Sequence, residues 1–277
     1  VTGIDPTPAG SPTLSVTHVG GPTVLIELAG WRILTDPTFD PPGRTYEFGL
    51  GTRSTKTTGP AVAPDEVGPV DLILLSHDHH ADNLDDHGRS LLPSAGTVLT
   101  TVPGARRLRA PNTRGLRPGQ ATTASAVGRP DLHVLATPCR HGPPLSRPVA
   151  GTVIGFAVSL AGSPRTAVWM TGDTVLHRPL RRAARHLDVD VLLLHLGAVR
   201  FPLTGPLRYS MNSTDAAGLL AATRPRVVVP VHYEGWSHFS EAEERARENL
   251  HADRLPAGTT VTWLERGRAA ALALHGP

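Results

Sequence analysis

The densest chemistry in the chain lies in one stretch, Ser76-His77-Asp78-His79-His80-Ala81-Asp82-Asn83-Leu84-Asp85, where three imidazoles and three carboxylates fall within nine positions. If such a cluster is buried, its carboxylates and desolvated rings need partners. A divalent cation supplies them, and His nitrogen with Asp oxygen is a ligand set that suits zinc, manganese or iron. The single cysteine, Cys139, excludes an internal disulfide framework and a cysteine-clamped zinc site. Metal chemistry would therefore run on imidazole and carboxylate, and the chain carries 14 His.

The cluster follows the apolar run Asp71-Leu72-Ile73-Leu74-Leu75, which reads as a buried strand. The carboxyl ends of such strands are where α/β architectures place their sites. Four other apolar runs end in a residue able to bind metal: His141 after Leu132–Ala136, Asp173 after Thr166–Met170, His195 after Val191–Leu194, and His232 after Val227–Val231. Each alone is an ordinary loop residue. The repetition points to several strands delivering ligands to one edge.

The elements that must position these residues follow from pattern. Leu14–Thr17, Thr23–Leu28 and Trp31–Thr35 read as strands, the last two joined by a tight turn at Ala29-Gly30. A Pro/Gly/Thr-rich stretch from Pro41 to Pro64 reads as loop. Beyond it come strands at Thr152–Leu160, Thr259–Trp263 and Ala269–Leu274, and helical patterns at Val175–Leu187, Ser213–Thr223 and Ser240–Leu250. Asn212-Ser213-Thr214-Asp215 is a good N-cap neighbourhood. No linker interrupts this alternation, so residues 1–13 are expected to be a flexible lead-in and 14–277 one α/β domain. A two-sheet sandwich flanked by helices, in four layers, is the economical architecture.

Composition narrows the partners. No run approaches the roughly 20 apolar residues of a membrane span, and Val1–Pro12 lacks the charged and apolar regions of a secretory signal. A cytoplasmic protein is the expectation. All but one of the 27 basic residues are Arg, the exception being Lys56, yet the formal charge is only +3. The clusters Arg106-Arg107-Leu108-Arg109 and Arg181-Arg182-Ala183-Ala184-Arg185 read as solvated helix faces, because neither is interleaved with aromatics as a base-stacking surface would be. Nucleic acid is not favoured as a partner. A small-molecule substrate is, and an anionic one is compatible with the charge balance.

Taken in order, Ile73-Leu74-Leu75-Ser76-His77-x-His79 with Asp82, His141-Gly142, Gly172-Asp173-Thr174 and Pro230-Val231-His232 resemble the motif series of the metallo-β-lactamase superfamily. Within it the chain most resembles the branch containing L-ascorbate-6-phosphate lactonase and related metal-dependent hydrolases. Gly20–Glu27, Ile33-Leu34-Thr35-Asp36-Pro37 and Tyr209-Ser210-Met211-Asn212 add to the match. The resemblance implies an αββα sandwich with one or two divalent metal ions, zinc by frequency, at the edge where the sheets meet. Carried over by position, His77, His79 or His80, and His141 form the first metal site. Asp82 and His232 form the second, with Asp173 bridging both.

Two departures stand out. The family pattern is His-x-His-x-Asp-His, whereas here both His80 and Ala81 separate His79 from Asp82, and Asn83 occupies the last His position. Both His79 and His80 keep one of the two expected spacings. An amide oxygen is a weaker ligand than imidazole, so the second ion is expected to be looser or absent.

The implied mechanism is metal-assisted hydrolysis of a small ester, lactone or phosphate-containing metabolite, in which the metal lowers the pKa of bound water towards ~7. Asp82 would accept the water's proton and return it to the leaving group. Asp36 is read either as a carboxylate supporting a site histidine or as a turn-forming residue before Pro37, His177 and His195 either as pocket-lining or as structural histidines, and Tyr233, Glu234, Trp236 and His238 as lying near the mouth, in contact with substrate or in an ordinary loop. Two other readings are carried: a phosphodiesterase or nuclease of the same fold, which would need an exposed basic region, and a non-hydrolytic ligand-binding protein with a degenerate metal site.

Overall fold

In the computed structural model, which describes residues 14–274, the apolar runs pair into two seven-stranded sheets. The expected flexible lead-in at residues 1–13 lies outside the described residues. One sheet runs Ala269–Leu272, Leu14–Gly20, Thr23–Leu28, Trp31–Thr35, Leu72–Leu74, Thr97–Thr101, Thr113–Leu116. The other runs Thr260–Val261, Val227–Val231, Val189–His195, Thr166–Met170, Ile154–Leu160, Leu132–Pro138, Ala121–Ala124. Each sheet is part antiparallel and part parallel.

Alternation along the strands explains the layers. Leu72, Leu74, Val191 and Leu193 point into a core shared with Val16, Ile26, Val134 and Phe156 from both sheets. Their neighbours Leu192 and Leu194 point outward against Leu180, Leu219 and Leu220 of helices Arg178–His186 and Ser213–Thr223. Ile73 points outward on the other side against Leu84 and Leu92, beside helix Asp86–Leu91. Strands buried on both faces read as continuous apolar runs, which is why these were visible in the sequence. The result is the four-layer α/β sandwich.

Several boundaries differ from the sequence expectation. The helix expected from Val175 starts at Arg178, set by Pro179 in its first turn, and the one expected from Ser240 covers Glu243–Asn249. The expected cap at Asn212 is present, its side chain accepting from Asp215 N at 2.8 Å. The Pro41–Pro64 stretch holds a small hairpin, Thr45–Glu47 with Arg53–Thr55. Thr97–Thr101 and Thr113–Leu116 are strands without a strong apolar signature. No helix among the described residues is long and apolar enough to cross a membrane.

Strands Leu132–Pro138, Thr166–Met170, Val189–His195 and Val227–Val231 run in one direction, so their carboxyl ends share an edge. Trp31–Thr35 and Leu72–Leu74 are likewise parallel to each other. The candidate site is built on these ends.

Candidate metal centre

The loop after Leu72–Leu74 divides its charges among three destinations. Asp78 turns outward, where Arg107 Nε donates to it at 2.8 Å. Asp85 turns inward as a structural hub, accepting from the backbone of Phe39, Asp40 and Gly88 and from the buried Lys56 Nζ at 2.8 Å. Its lone pairs are thereby used, and it caps helix Asp86–Leu91. Of the three loop carboxylates only Asp82 faces the cluster.

Two rings converge on a third. His80 Nδ1 lies 3.1 Å from His77 Nε2 and 3.2 Å from His141 Nε2. Burial lowers the pKa of all three rings, His141 to about 4, so each is neutral at physiological pH. His141 Nδ1–H donates to Tyr209 O at 2.6 Å, which fixes its tautomer and leaves the Nε2 lone pair aimed inward. One ring N–H can meet both neighbours only as a shared three-centre bond, whereas a cation in their midst takes a lone pair from each ring. Ligands on a tetrahedral zinc with bonds of about 2.0–2.1 Å stand roughly 3.3 Å apart, close to these spacings.

His79 lies near this group, with a ring nitrogen within 4.8 Å of those of His77 and His80. Its Nε2–H, however, donates to Ala150 O at 2.9 Å. Its ring also occupies the place where a Cβ on Gly151 would sit, 2.2 Å from two ring atoms. Of the two histidines left open by spacing, His80 joins the convergence and His79 pegs the loop that carries Ala150 and Gly151.

The other side of the cluster is acidic. His232 Nε2 sits 3.4 Å from both Asp82 Oδ2 and Asp173 Oδ2. Asp173 falls within 4.8 Å both of the Asp82–His232 group and of a His77–His141 group, the placement a bridging ligand needs. Burial raises the Asp173 carboxyl to about 7, reinforced by the charges of Asp82 and Asp36 and opposed by His232. Burial would lower His232, but Asp173 and Asp82 raise it to about 9. Burial would raise Asp82, yet the imidazoles of His232 and His238 beside its Oδ2, at 3.4 and 3.2 Å, hold it well below the ordinary carboxylate range. His232 also has a positive φ of 56°, rare for a residue with a side chain, held by His232 N donating to Gly21 O at 2.7 Å.

Asn83 and Asp36 meet behind this group. Asn83 Nδ2 donates to Asp36 Oδ2 at 3.0 Å, and Asp36 Oδ1 accepts from Ser76 N at 2.6 Å. The carboxylate can only accept, so the Asn83 amide is oriented with Oδ1 free, and that oxygen is buried without a partner. His195 is fully buried with Nε2 3.7 Å from Asp36 Oδ2. Asp36 thus supports Asn83 and His195 from behind.

Both oxygens of Asp173, Oδ1 of Asp82, Oδ1 of Asn83 and Nε2 of His232 are buried without hydrogen-bond partners. Native interiors satisfy such atoms, so this concentration fits a site for cations.

Two residues carry more than their sequence signal suggested. His238 is buried with Nε2 3.2 Å from Asp82 Oδ2, stacked on Trp236 and edge-on to Phe48. Tyr209 supplies the carbonyl that orients His141 and packs its ring against Phe201. Tyr233 is corrected in the opposite sense. It is 8% exposed, follows the end of strand Val227–Val231, and packs in the helix-side core edge-on against Trp263, and it does not line the cavity. Cys139 donates to Thr171 O at 3.0 Å, and burial pushes its thiol well above the ordinary range, as expected of a structural thiol.

A cavity of about 260 Å³ opens beside His80, Asp82 and His141. The arrangement can hold one or two divalent cations at the inner end of a pocket, next to an ionised carboxylate.

The family model for the β-lactamase superfamily domain matches residues 31–233. A metal-dependent hydrolase of Opitutus terrae is 30% identical over 232 residues, covering 79% of this chain and 85% of that protein. Another, from Caldivirga maquilingensis, is 26% identical over 226 residues, covering 80% and 83%. Among solved structures, the isothiocyanate hydrolase from Delia radicum gut bacteria is similar with a TM-score of 0.76 at 20% identity, covering 94% of this chain and 99% of that one.

Proposed function

We propose that this chain, which belongs to the metallo-β-lactamase superfamily and is a metal-dependent hydrolase, cleaves a small carboxylic ester or lactone with water. The observation that carries the reading is the convergence of His77, His80 and His141 beside Asp82 at the inner end of a cavity. His77, His80 and His141 would hold one ion, and Asp82, Asp173 and His232 a second, with Asp173 shared. When bound, the metal lowers the pKa of water and polarises the carbonyl oxygen; zinc is the first expectation, with manganese or iron compatible with the same ligands.

The chain's own groups do the rest. Asp82 is held ionised by His232 and His238 at Oδ2, which leaves Oδ1 to orient the attacking water and accept its proton. As the carbonyl carbon gains the water oxygen and loses the alkoxide, that proton passes to the leaving oxygen. The lactonase-like branch suggested by the motifs agrees with a carbonyl substrate. A phosphate ester or phosphodiester is less well served, since among the described residues no lysine or arginine lines the cavity. A cytoplasmic setting, where the lone Cys139 stays reduced, belongs to the same reading.

The test is turnover of generic esters, lactones and bis-phosphodiesters by metal-loaded protein, with metal content measured alongside. Hydrolysis of esters or lactones that disappears in Asp82→Ala and Asp173→Ala is expected. Full activity in either variant, or a phosphodiester as the preferred substrate, refutes the reading.

A further inference from the structure

We propose that the cavity beside the metal centre selects uncharged substrates carrying an unbranched apolar chain, such as a medium-chain acyl ester or an alkyl-substituted lactone. The inference rests on the hydrolase reading above and names its substrate class.

The cavity reaches His80, Asp82 and His141, so whatever fills it lies against the reacting centre. Its walls are Phe48, Val199, Phe201, Leu207 and Tyr209, and its side-chain hydroxyls away from the cluster come from Thr52, Ser146, Thr204 and Tyr209. A charged group lying against those walls, away from the metal cluster, would lose its hydration with no charged side chain to replace it. Arg140 and Arg147 line a different cleft, beyond the Pro143–Ser146 segment, which touches the cluster only at His141.

The rim repeats the chemistry of the walls. Five large apolar residues are exposed among the described residues, and Leu50 (75%), Leu145 (94%) and Leu207 (44%) all line this cavity. Leu203 (68%) stands next to it, 3.6 Å from where a Cβ on Gly51 would be. Only Val127 lies elsewhere. Scattered exposed leucines need no explanation, but four around one opening form a continuous apolar approach.

The backbone points the same way. Leu50 and Leu145 both have positive φ, 48° and 69°, a conformation that a bulky side chain adopts only at a cost and that glycine would adopt freely. Leucines held exposed in that conformation, on two separate loops lining a cavity that leads to the candidate metal centre, fit a clamp for an apolar chain. The peg formed by His79 under Ala150 and Gly151 holds one of those lips in place.

The experiment has two arms. In the first, metal-loaded protein is assayed with p-nitrophenyl acetate, butyrate, hexanoate and octanoate and with an ester of hexanoate length ending in a carboxylate. We expect kcat/KM to rise about fourfold per methylene until the cavity is filled, and the carboxylate ester to fall at least about tenfold below hexanoate. Leu207→Arg, at a half-exposed position and with an unchanged melting temperature, flattens the series. In the second arm, the neutral dye N-phenyl-1-naphthylamine is displaced by 1-octanol but not by glycerol phosphate, whether or not any ester turns over.

Hydrolysis that is independent of chain length, or that favours the anionic ester, overturns the substrate class and leaves the hydrolase reading standing. Octanol binding without any hydrolysis supports the apolar cavity and overturns the ester reading. A dye that does not bind overturns the proposal.

Discussion

Three neutral rings meet in one half of the site, whereas the other half holds two carboxylates, His232, His238 and an amide. In the imidazole half, burial keeps His77, His80 and His141 deprotonated, and Tyr209 fixes a tautomer, so a cation finds lone pairs already presented. In the acidic half the groups answer one another: Asp82 is acidic because the imidazoles of His232 and His238 stand beside it, and His232 is basic because Asp173 and Asp82 flank it. A cation entering there must displace protons and break those pairings. The oxygen of Asn83 also stands where the family pattern has an imidazole. The difference teaches that two adjacent sites sharing Asp173 can differ widely in affinity without differing in burial.

The largest effect separates the two neighbouring histidines. His80→Ala removes a proposed ligand and is expected to lower kcat/KM by roughly 10³-fold or more, with loss of one equivalent of metal. His79→Ala is expected to keep its metal and lose less than about tenfold, in line with a residue that acts through others. Equal losses in the two variants, measured with metal content, would break the assignment.

Next in size is the affinity gap between the halves. Titration of metal into stripped protein should give one tight ion and a second that is weaker by at least about tenfold. Asn83→His should narrow the gap. His238→Ala should widen it by about 10- to 100-fold, because Asp82 loses the partner that orients it. Two equally tight ions in the unaltered protein would remove the basis for treating the halves as different.

The pH dependence of binding sharpens the comparison further. The imidazole half has rings with depressed pKa values, so above about pH 7, where the shared Asp173 is also ionised, protons do not compete with the cation there. In the acidic half His232, raised to about 9, must lose its proton, so affinity there rises with pH, by up to about tenfold per unit, until roughly pH 9. Calorimetric titration between about pH 7 and 9 should therefore show one flat and one climbing constant; two parallel profiles would contradict the pairing of His232 with the carboxylates.

The smallest effect is a control within the same loop. Asp78→Asn weakens the pairing with the half-exposed Arg107 and should lower stability by only about 1 kcal/mol, read from denaturant midpoints, with metal content unchanged. A loss of metal would show that the loop's carboxylates are not divided as described.

Much of this site is legible in the chain. Asp173, His141 and His232 each follow an apolar run long enough to be a buried strand, and strands buried on both faces announce themselves by hydrophobicity alone. The short strands Thr97–Thr101 and Thr113–Leu116 and the hairpin at Thr45–Glu47 were not legible, because their residues do not alternate strongly and their pairing partners decide their state. His238 was legible only as a residue near the mouth of the site. Its significance is the 3.2 Å approach to Asp82, 156 positions earlier in the chain.

The sequence by itself determined the architecture, the edge on which the ligands gather and the anomaly at Asn83, because hydrophobic runs and the residues ending them are local facts. Only the tertiary structure decided which side chain of the 76–85 loop does what. Consecutive residues of an irregular loop point in different directions, and the groups that capture them are distant in the chain: Arg107 takes Asp78, Ala150 takes His79, His141 meets His80, and Lys56 takes Asp85. Spacing could not choose between His79 and His80 because the choice is made by a carbonyl and a glycine some seventy residues away, where the absence of a Cβ on Gly151 leaves room for one ring and frees the other to face the cluster.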